Sequence, residues 1–193
     1  MECIMASLQI KIYGDDCLKR ASRPVETFDG DLRRLVGDMA ETMYQARGIG
    51  LAAPQVGENV RLLILDVDWI SEEGGEPKEE RNLKVLINPA LAWESVEDSS
   101  VMEGCLSLPG IEGEVYRPVA VNIRYQDESG QQHERRVEGM EARCVQHEID
   151  HLDGVLFVDR MPRMRRRLLA GKLNALKKTP RSDTNVSAQG KAF

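Results

Sequence analysis

His147, Glu148, Ile149, Asp150 and His151 spell H-E-x-x-H. Residues four apart share one face of a helix, so two imidazoles can grip one metal ion while the adjacent Glu reaches its bound water. Such a set performs hydrolysis, with Glu148 as proton acceptor. The same letters also occur on solvated helices with two incidental histidines, and a catalytic centre of this type needs a third protein ligand. Cys105 is the best one, because a thiolate binds first-row metals well and Glu103-Gly104-Cys105-Leu106-Ser107 brings small residues that let backbone approach a ligand. The extended pattern H-E-x-x-H-x-x-G-x-x-H is followed through Gly154 but ends on Phe157, which cannot coordinate. Cys3, Cys17 and Cys144 read as inert thiols, with Cys144 placed to pack beside the site.

Two other readings use the same residues. An ordinary H-E-x-x-H peptidase would take its third ligand from an acid such as Asp153 or Asp159. A non-catalytic, metal-stapled binding module would close its site with four protein ligands, and only three good candidates are present.

Gly48-Ile49-Gly50-Leu51-Ala52-Ala53-Pro54-Gln55 satisfies the letters of a dinucleotide fingerprint, with Asp68 about twenty residues on. Its context refuses that reading, since an amphipathic helix precedes it and Pro54 would fall inside the helix that should follow. The glycines instead expose backbone for pairing with an extended ligand, and Gln55 offers a side-chain donor to a developing oxyanion.

The elements that must carry these groups are legible in outline. Leu32, Leu35, Val36, Met39 and Met43 recur at helical spacing between Asp29, a candidate N-cap, and Gly48, a candidate stop. Val60 to Val67 and Lys84 to Leu91 read as strands around a solvated loop, Ser71 to Asn82. Val115 to Tyr125 and His133 to Val137 flank a polar turn ending at Gly130, and Glu141 to Leu152 is a helix bearing the metal motif. After Pro162 a basic stretch carries a partial stripe of Leu168, Leu169, Leu173 and Leu176. The expected architecture is a single α+β domain, residues 1–178, with antiparallel or mixed strands around a central metal-binding helix and a basic C-terminal helix over 160–178. Residues 179–193 are expected to be a disordered tail.

Composition narrows the setting. A chain of 193 residues, 41% hydrophobic, has material for one real core, and a net charge of -6 opposes general binding to nucleic acid or anionic membrane. No apolar run approaches the roughly 18 to 20 residues of a membrane span, and Met1 to Tyr13 lacks the order of a signal peptide. Four scattered cysteines do not make a disulfide framework, so a reducing cytoplasm is expected.

Taken together, GLAAPQ at 50–55 with Gly48-Ile49 before it, EGCLS at 103–107 and QHEIDHLDG at 146–154 closely resemble the three signature motifs of peptide deformylases. The resemblance runs from about Leu8 to about Lys178, and Met5 fits the family's usual start better than Met1. It implies Cys105, His147 and His151 as metal ligands, Glu148 as general base and then acid toward a metal-bound water, and Gln55 with the Leu106 N–H as oxyanion donors. Gly50 and the segment after Leu106 would bind the substrate backbone as an added strand. Ile49, Glu103, Gly104, Arg143 and Cys144 would surround the substrate's first side chain, with Glu103 and Arg117 as a supporting ion pair. The implied enzyme is bacterial or organellar, carries one Fe2+, with Zn2+ as a possible replacement, and removes the formyl group from the initiator methionine of nascent polypeptides. A monomer is expected, docking on the ribosome through the basic helix and touching no membrane.

Overall fold

The computed structural model describes residues 7–70 and 77–178. Cys3, both candidate starts Met1 and Met5, part of the expected Ser71-to-Asn82 loop and the tail at 179–193 lie outside the described residues.

Helix α1, Gly30–Gln45, begins where Asp29 accepts hydrogen bonds from the Asp31 and Leu32 N–H groups, both at 3.0 Å. It ends just short of Gly48. Arg47 takes the left-handed conformation at φ 55, and Gly48 N–H bonds back to Met43 C=O at 2.9 Å, closing a Schellman motif. Strands β1, Gly50–Ala52, and β2, Leu62–Leu65, follow, then β3, Lys84–Glu94, and β4, Asp98–Glu103. Next come β5, Gly113–Pro118, β6, Ala120–Gln126, and β7, Gln132–Glu138, before helix α2, Gly139–Leu152. Short helices α3, Phe157–Arg160, and α4, Arg163–Leu168, lead to α5, Ala170–Lys178.

All paired strands run antiparallel, in a five-stranded sheet ordered β1-β2-β3-β6-β7 and a two-stranded sheet of β4 and β5. Strand β2 explains its own unbroken apolar run. Leu62 and Ile64 pack with α1 residues such as Met39 and Met43, whereas Leu63 and Leu65 pack with α2 residues such as Val145 and Ile149, so both faces are buried. A third cluster gathers Leu18, Cys105, Leu108, Val115, Phe157 and Leu173 under the C-terminal segment. No helix among the described residues is long and apolar enough to cross a membrane.

Three expectations change. The stretch Val115 to Tyr125 is two strands, divided at Pro118-Val119, because the chain leaves the small sheet for the large one there. Strand β4 was absent from the expected elements, since it lies largely at the surface with one partner and shows no apolar alternation. The basic C-terminal helix is broken at Leu169 into α4 and α5; Leu173 is buried, whereas Leu168 is exposed and lies outside the packed stripe.

Candidate active site

Helix α2 carries His147, Glu148 and His151 through the centre of the molecule, where every residue from Ala142 to Leu152 is buried. Cys105 arrives from the loop after β4, and the ligand atoms of Cys105, His147 and His151 lie within 4.8 Å of one another. Cys105 Sγ is 3.3 Å from His151 Nε2. His147 Nδ1 lies 3.0 Å from Glu103 Oε2, an arrangement that keeps the proton on Nδ1 and turns Nε2 into the lone-pair donor. Burial holds the His151 pKa well below its usual value, so this imidazole is neutral, as a ligand must be. Burial, with the charge of Glu148, pushes the Cys105 thiol up to about 12, so an ion entering here displaces the thiol proton. One sulfur and two imidazoles form a donor set that suits zinc and iron(II) alike. The residues fit a metal.

The acidic alternatives are engaged elsewhere. Asp153 is half-exposed and paired with Arg61 at 2.7 Å, and Asp159 is held by Lys19, Arg166 and the Leu156 N–H. Phe157, where the extended motif would place a third histidine, stacks on the His147 ring at 6.2 Å instead.

Glu148 faces the main chain of β1. A Cβ on Gly50 would stand 2.6 Å from both Glu148 Oε1 and Cys144 Sγ, so only glycine allows the strand this close to the carboxylate. Glu148 Oε2 is buried with no hydrogen-bond partner, and burial pushes this carboxyl up to about 8. Such a group can hold a proton near neutral pH.

The strand also presents an open edge. Asp66 N–H donates to Ile49 C=O at 2.9 Å, which makes Ile49 and Asp66 a hydrogen-bonded pair; the next residue, Gly50, therefore turns its N–H and C=O away from β2. Because β1 is the edge of its sheet, those groups can receive an added strand. In the segment after Leu106, Ser107 C=O accepts from Tyr13 N–H and Leu108 N–H donates to Cys105 C=O, so these two groups are engaged within the fold. Gln55 sits in a 3-10 turn, Ala53–Val56, rather than in the helix a dinucleotide motif requires. Its Oε1 accepts from Ala52 N–H at 2.8 Å, which turns the amide Nε2 toward Cys105 Sγ at 3.5 Å and Ser107 Oγ at 3.3 Å. The Leu106 N–H is the next donor along the chain from Cys105.

Glu103 and Arg143 form the wall behind the site. Arg117 Nε and Nη2 donate to the two Glu103 oxygens at 2.7 and 3.0 Å, and Arg143 Nη1 donates to Oε1 at 2.6 Å. Burial by itself would raise the Glu103 pKa, but hydrogen bonds from His147 and Arg117 outweigh it and hold the carboxyl well below the usual carboxylate range. Their charged groups thus face one another rather than a ligand. Gly104 is buried beside them, and Ile49 and Cys144 are joined where Cys144 Sγ meets Ile49 C=O at 3.6 Å.

The sequence reading missed how far this network extends. Arg117 Nη1 continues to Asp150 Oδ2 at 2.8 Å, and Asp150 Oδ1 accepts from Arg160 Nη2 at 2.6 Å, so an ion chain runs from His147 to the surface. Asp150, a spacer in H-E-x-x-H, gave one signal, an acid inside a buried helix. Arg160 gave none, because its pairing depends on how α3 folds back.

The polypeptide deformylase family model matches residues 7–167. Peptide deformylase of Zymomonas mobilis is 50% identical over 169 residues, covering 88% of this chain and 94% of its own. The crystal structure of the Plasmodium falciparum enzyme superposes with a TM-score of 0.79 at 39% identity, over 87% of this chain and 94% of that one. The Legionella pneumophila enzyme gives 0.79 at 38%, over 89% and 96%. With that likeness over the same residues that build the buried cluster, the chain belongs to the polypeptide deformylase family, metallo-hydrolases that remove the N-formyl group from nascent peptides.

Proposed function

We propose that this chain performs that hydrolysis on the initiator methionine with one Fe2+ held by Cys105, His147 and His151. The observation that carries the reading is the meeting of three buried ligand atoms within 4.8 Å beside a buried, unpartnered Glu148 oxygen. When bound, the ion supplies Lewis acidity, which polarises a carbonyl and brings the pKa of nearby water toward about 7. Glu148 takes the proton as the nucleophile adds to the formyl carbon and returns it to the leaving amine nitrogen. Gln55 Nε2 and the Leu106 N–H donate to the formyl oxygen as negative charge gathers there, a contribution of about 3 to 4 kcal/mol per donor in comparable sites. Formate and a free N-terminus leave.

Gly50 receives the peptide backbone at the open edge of β1, with Ile49, Gly104 and Cys144 around the first residue. Glu103 and Arg143 act on that pocket from behind, by fixing His147 and the loop before Cys105. The ligand set admits zinc, and the iron assignment follows the family. On the same reading the enzyme works as a cytoplasmic monomer and reaches nascent chains at the ribosome.

Metal analysis paired with a formate-release assay on a formyl-Met peptide tests this. The expected result is about one ion per chain, iron when purified without oxygen, and loss of both ion and activity in Cys105→Ala. A Cys105→Ala protein that keeps its ion refutes the ligand set. Zinc in both aerobic and anaerobic preparations, at equal specific activity, refutes iron.

A further inference from the structure

We propose that Trp69 is a positioning residue for peptide substrates: its indole N–H fixes the Gly48 carbonyl, and with it the open edge of β1 on which the substrate backbone lies. The inference rests on reading Gly50 as the backbone subsite. Trp69 is 2% exposed and its Nε1–H donates to Gly48 C=O at 2.9 Å. The indole is itself held on two sides. The Tyr44 ring meets it edge to face at 5.0 Å, and the Arg81 guanidinium covers both rings, 4.1 Å from the Tyr44 centroid and 4.5 Å from that of Trp69. Tyr44 Oη in turn donates to Asp66 Oδ2 at 2.9 Å, and the Asn82 N–H donates to the same oxygen at 2.8 Å.

The segment carrying Asp66 and Trp69 therefore holds two successive carbonyls, Ile49 through Asp66 N–H and Gly48 through the indole. Gly50, the next residue, is the one with outward backbone groups. This matters because the strand has no side chains at 48 and 50 with which to fix its own position. A Cβ at Gly48 would stand 2.8 Å from Leu106 Cδ1, and one at Gly50 would stand 2.6 Å from Glu148 Oε1, so the bare backbone is wedged between the two walls of the site. Main-chain tethers set where it lies, and three come from side chains: Trp69 on Gly48, the Cys144 thiol on Ile49 and Gln55 on Ala52; of these Trp69 alone lies outside the ligand cluster, the oxyanion donors and the pocket. The indole's polar and ring partners are Gly48, Tyr44 and Arg81 rather than the ligand cluster or Glu148, so it acts through β1.

The test is Trp69→Phe, which keeps a ring and removes the N–H, assayed by formate release on a formyl-Met tripeptide and on formylmethionine, with metal content measured alongside. The tripeptide KM is expected to rise about tenfold, the loss typical of one hydrogen bond, with kcat within about twofold. Formylmethionine, which has no peptide chain beyond its first residue to lay along β1, should be hydrolysed with nearly unchanged kcat/KM, and the metal content should stay the same. Arg81→Ala, at an exposed residue, provides a second variant with the same direction and a smaller effect. Equal losses on both substrates, or a tripeptide KM that does not move, would overturn the role of Trp69. A wild-type enzyme with the same KM for both substrates would instead overturn the backbone subsite on which it rests.

Discussion

Glu148 combines two properties that a proton carrier needs, a position beside the ligand cluster and a burial that raises its affinity for a proton. Replacing it with Gln keeps the size and the hydrogen-bonding capacity of the side chain but removes the ability to take a proton. Glu148→Gln is therefore expected to retain its metal and lose about 10² to 10⁴ in kcat, with metal analysis and formate release run on one preparation. Wild-type turnover in that variant would exclude Glu148 as the base. The pairing of His147 with His151 was legible in the sequence because helical spacing is a local property. Cys105 was legible only through the small residues around it, and what separates it from His147 is 41 residues of intervening chain that spacing cannot read. Asp150 and Arg160 were illegible for a related reason: the energy of a buried ion chain lies in which charges meet, and that is decided after packing.

At the scale of elements, α2 has to be held at a fixed angle to the sheet if His147 and His151 are to face the loop bearing Cys105. Glu141, in the first turn of α2, accepts from Arg135 on β7 and from Lys84 on β3 at 2.9 Å, so one carboxylate joins the helix to two strands. Burial would raise its pKa, but the bonds from Arg135 and Lys84 outweigh this and leave it lowered. A lowered folded pKa means stability that is present above the ordinary value of about 4.3 and is lost as the pH falls through the folded value. Glu141→Gln should thus lower Tm at pH 7 by roughly 2 to 4 °C, the shift produced by about 1 kcal/mol in a chain of this size. The difference should shrink only as the pH falls beneath the ordinary carboxylate value and through the lowered folded one, where wild type carries a protonated, neutral carboxyl too; a gap of constant size across that range would reject the ion pair as its source. Helix α1 and strand β2 were readable because each buries an apolar pattern of its own period. Strand β4 and the division at Pro118-Val119 were not, since a surface hairpin needs no apolar alternation and nothing local marks where a chain changes sheets.

For the whole molecule the decisive feature is where charge is left unpaired. Residues 160–178 hold eight of the 26 basic residues and none of the 32 acidic ones, so the rest of the chain carries a formal -14. Four of those eight are engaged in the fold: Arg160 with Asp150, Arg165 with Glu114, Arg166 with Asp159, and Lys177 over the Tyr13 ring. Arg163, Arg167, Lys172 and Lys178 are exposed and are the cations of this segment best placed to meet an external phosphate. Removing the segment outright would also strip buried Leu173 from its cluster, so deletion would confuse docking with folding. A variant with Gln at those four positions keeps the Leu packing and removes only charge. If the enzyme docks on ribosomal RNA through this face, co-sedimentation with ribosomes should weaken steeply with salt in the wild type. In the variant, the slope of log affinity against log salt should flatten by about 3, at roughly 0.7 to 0.9 for each phosphate no longer neutralised. Hydrolysis of a short formyl-peptide should be unchanged, because none of the four residues belongs to the ligand cluster or the β1 edge. Ribosome binding that keeps its affinity and its salt slope in the variant would place docking on another face, and the acidic remainder of the surface leaves few that could serve.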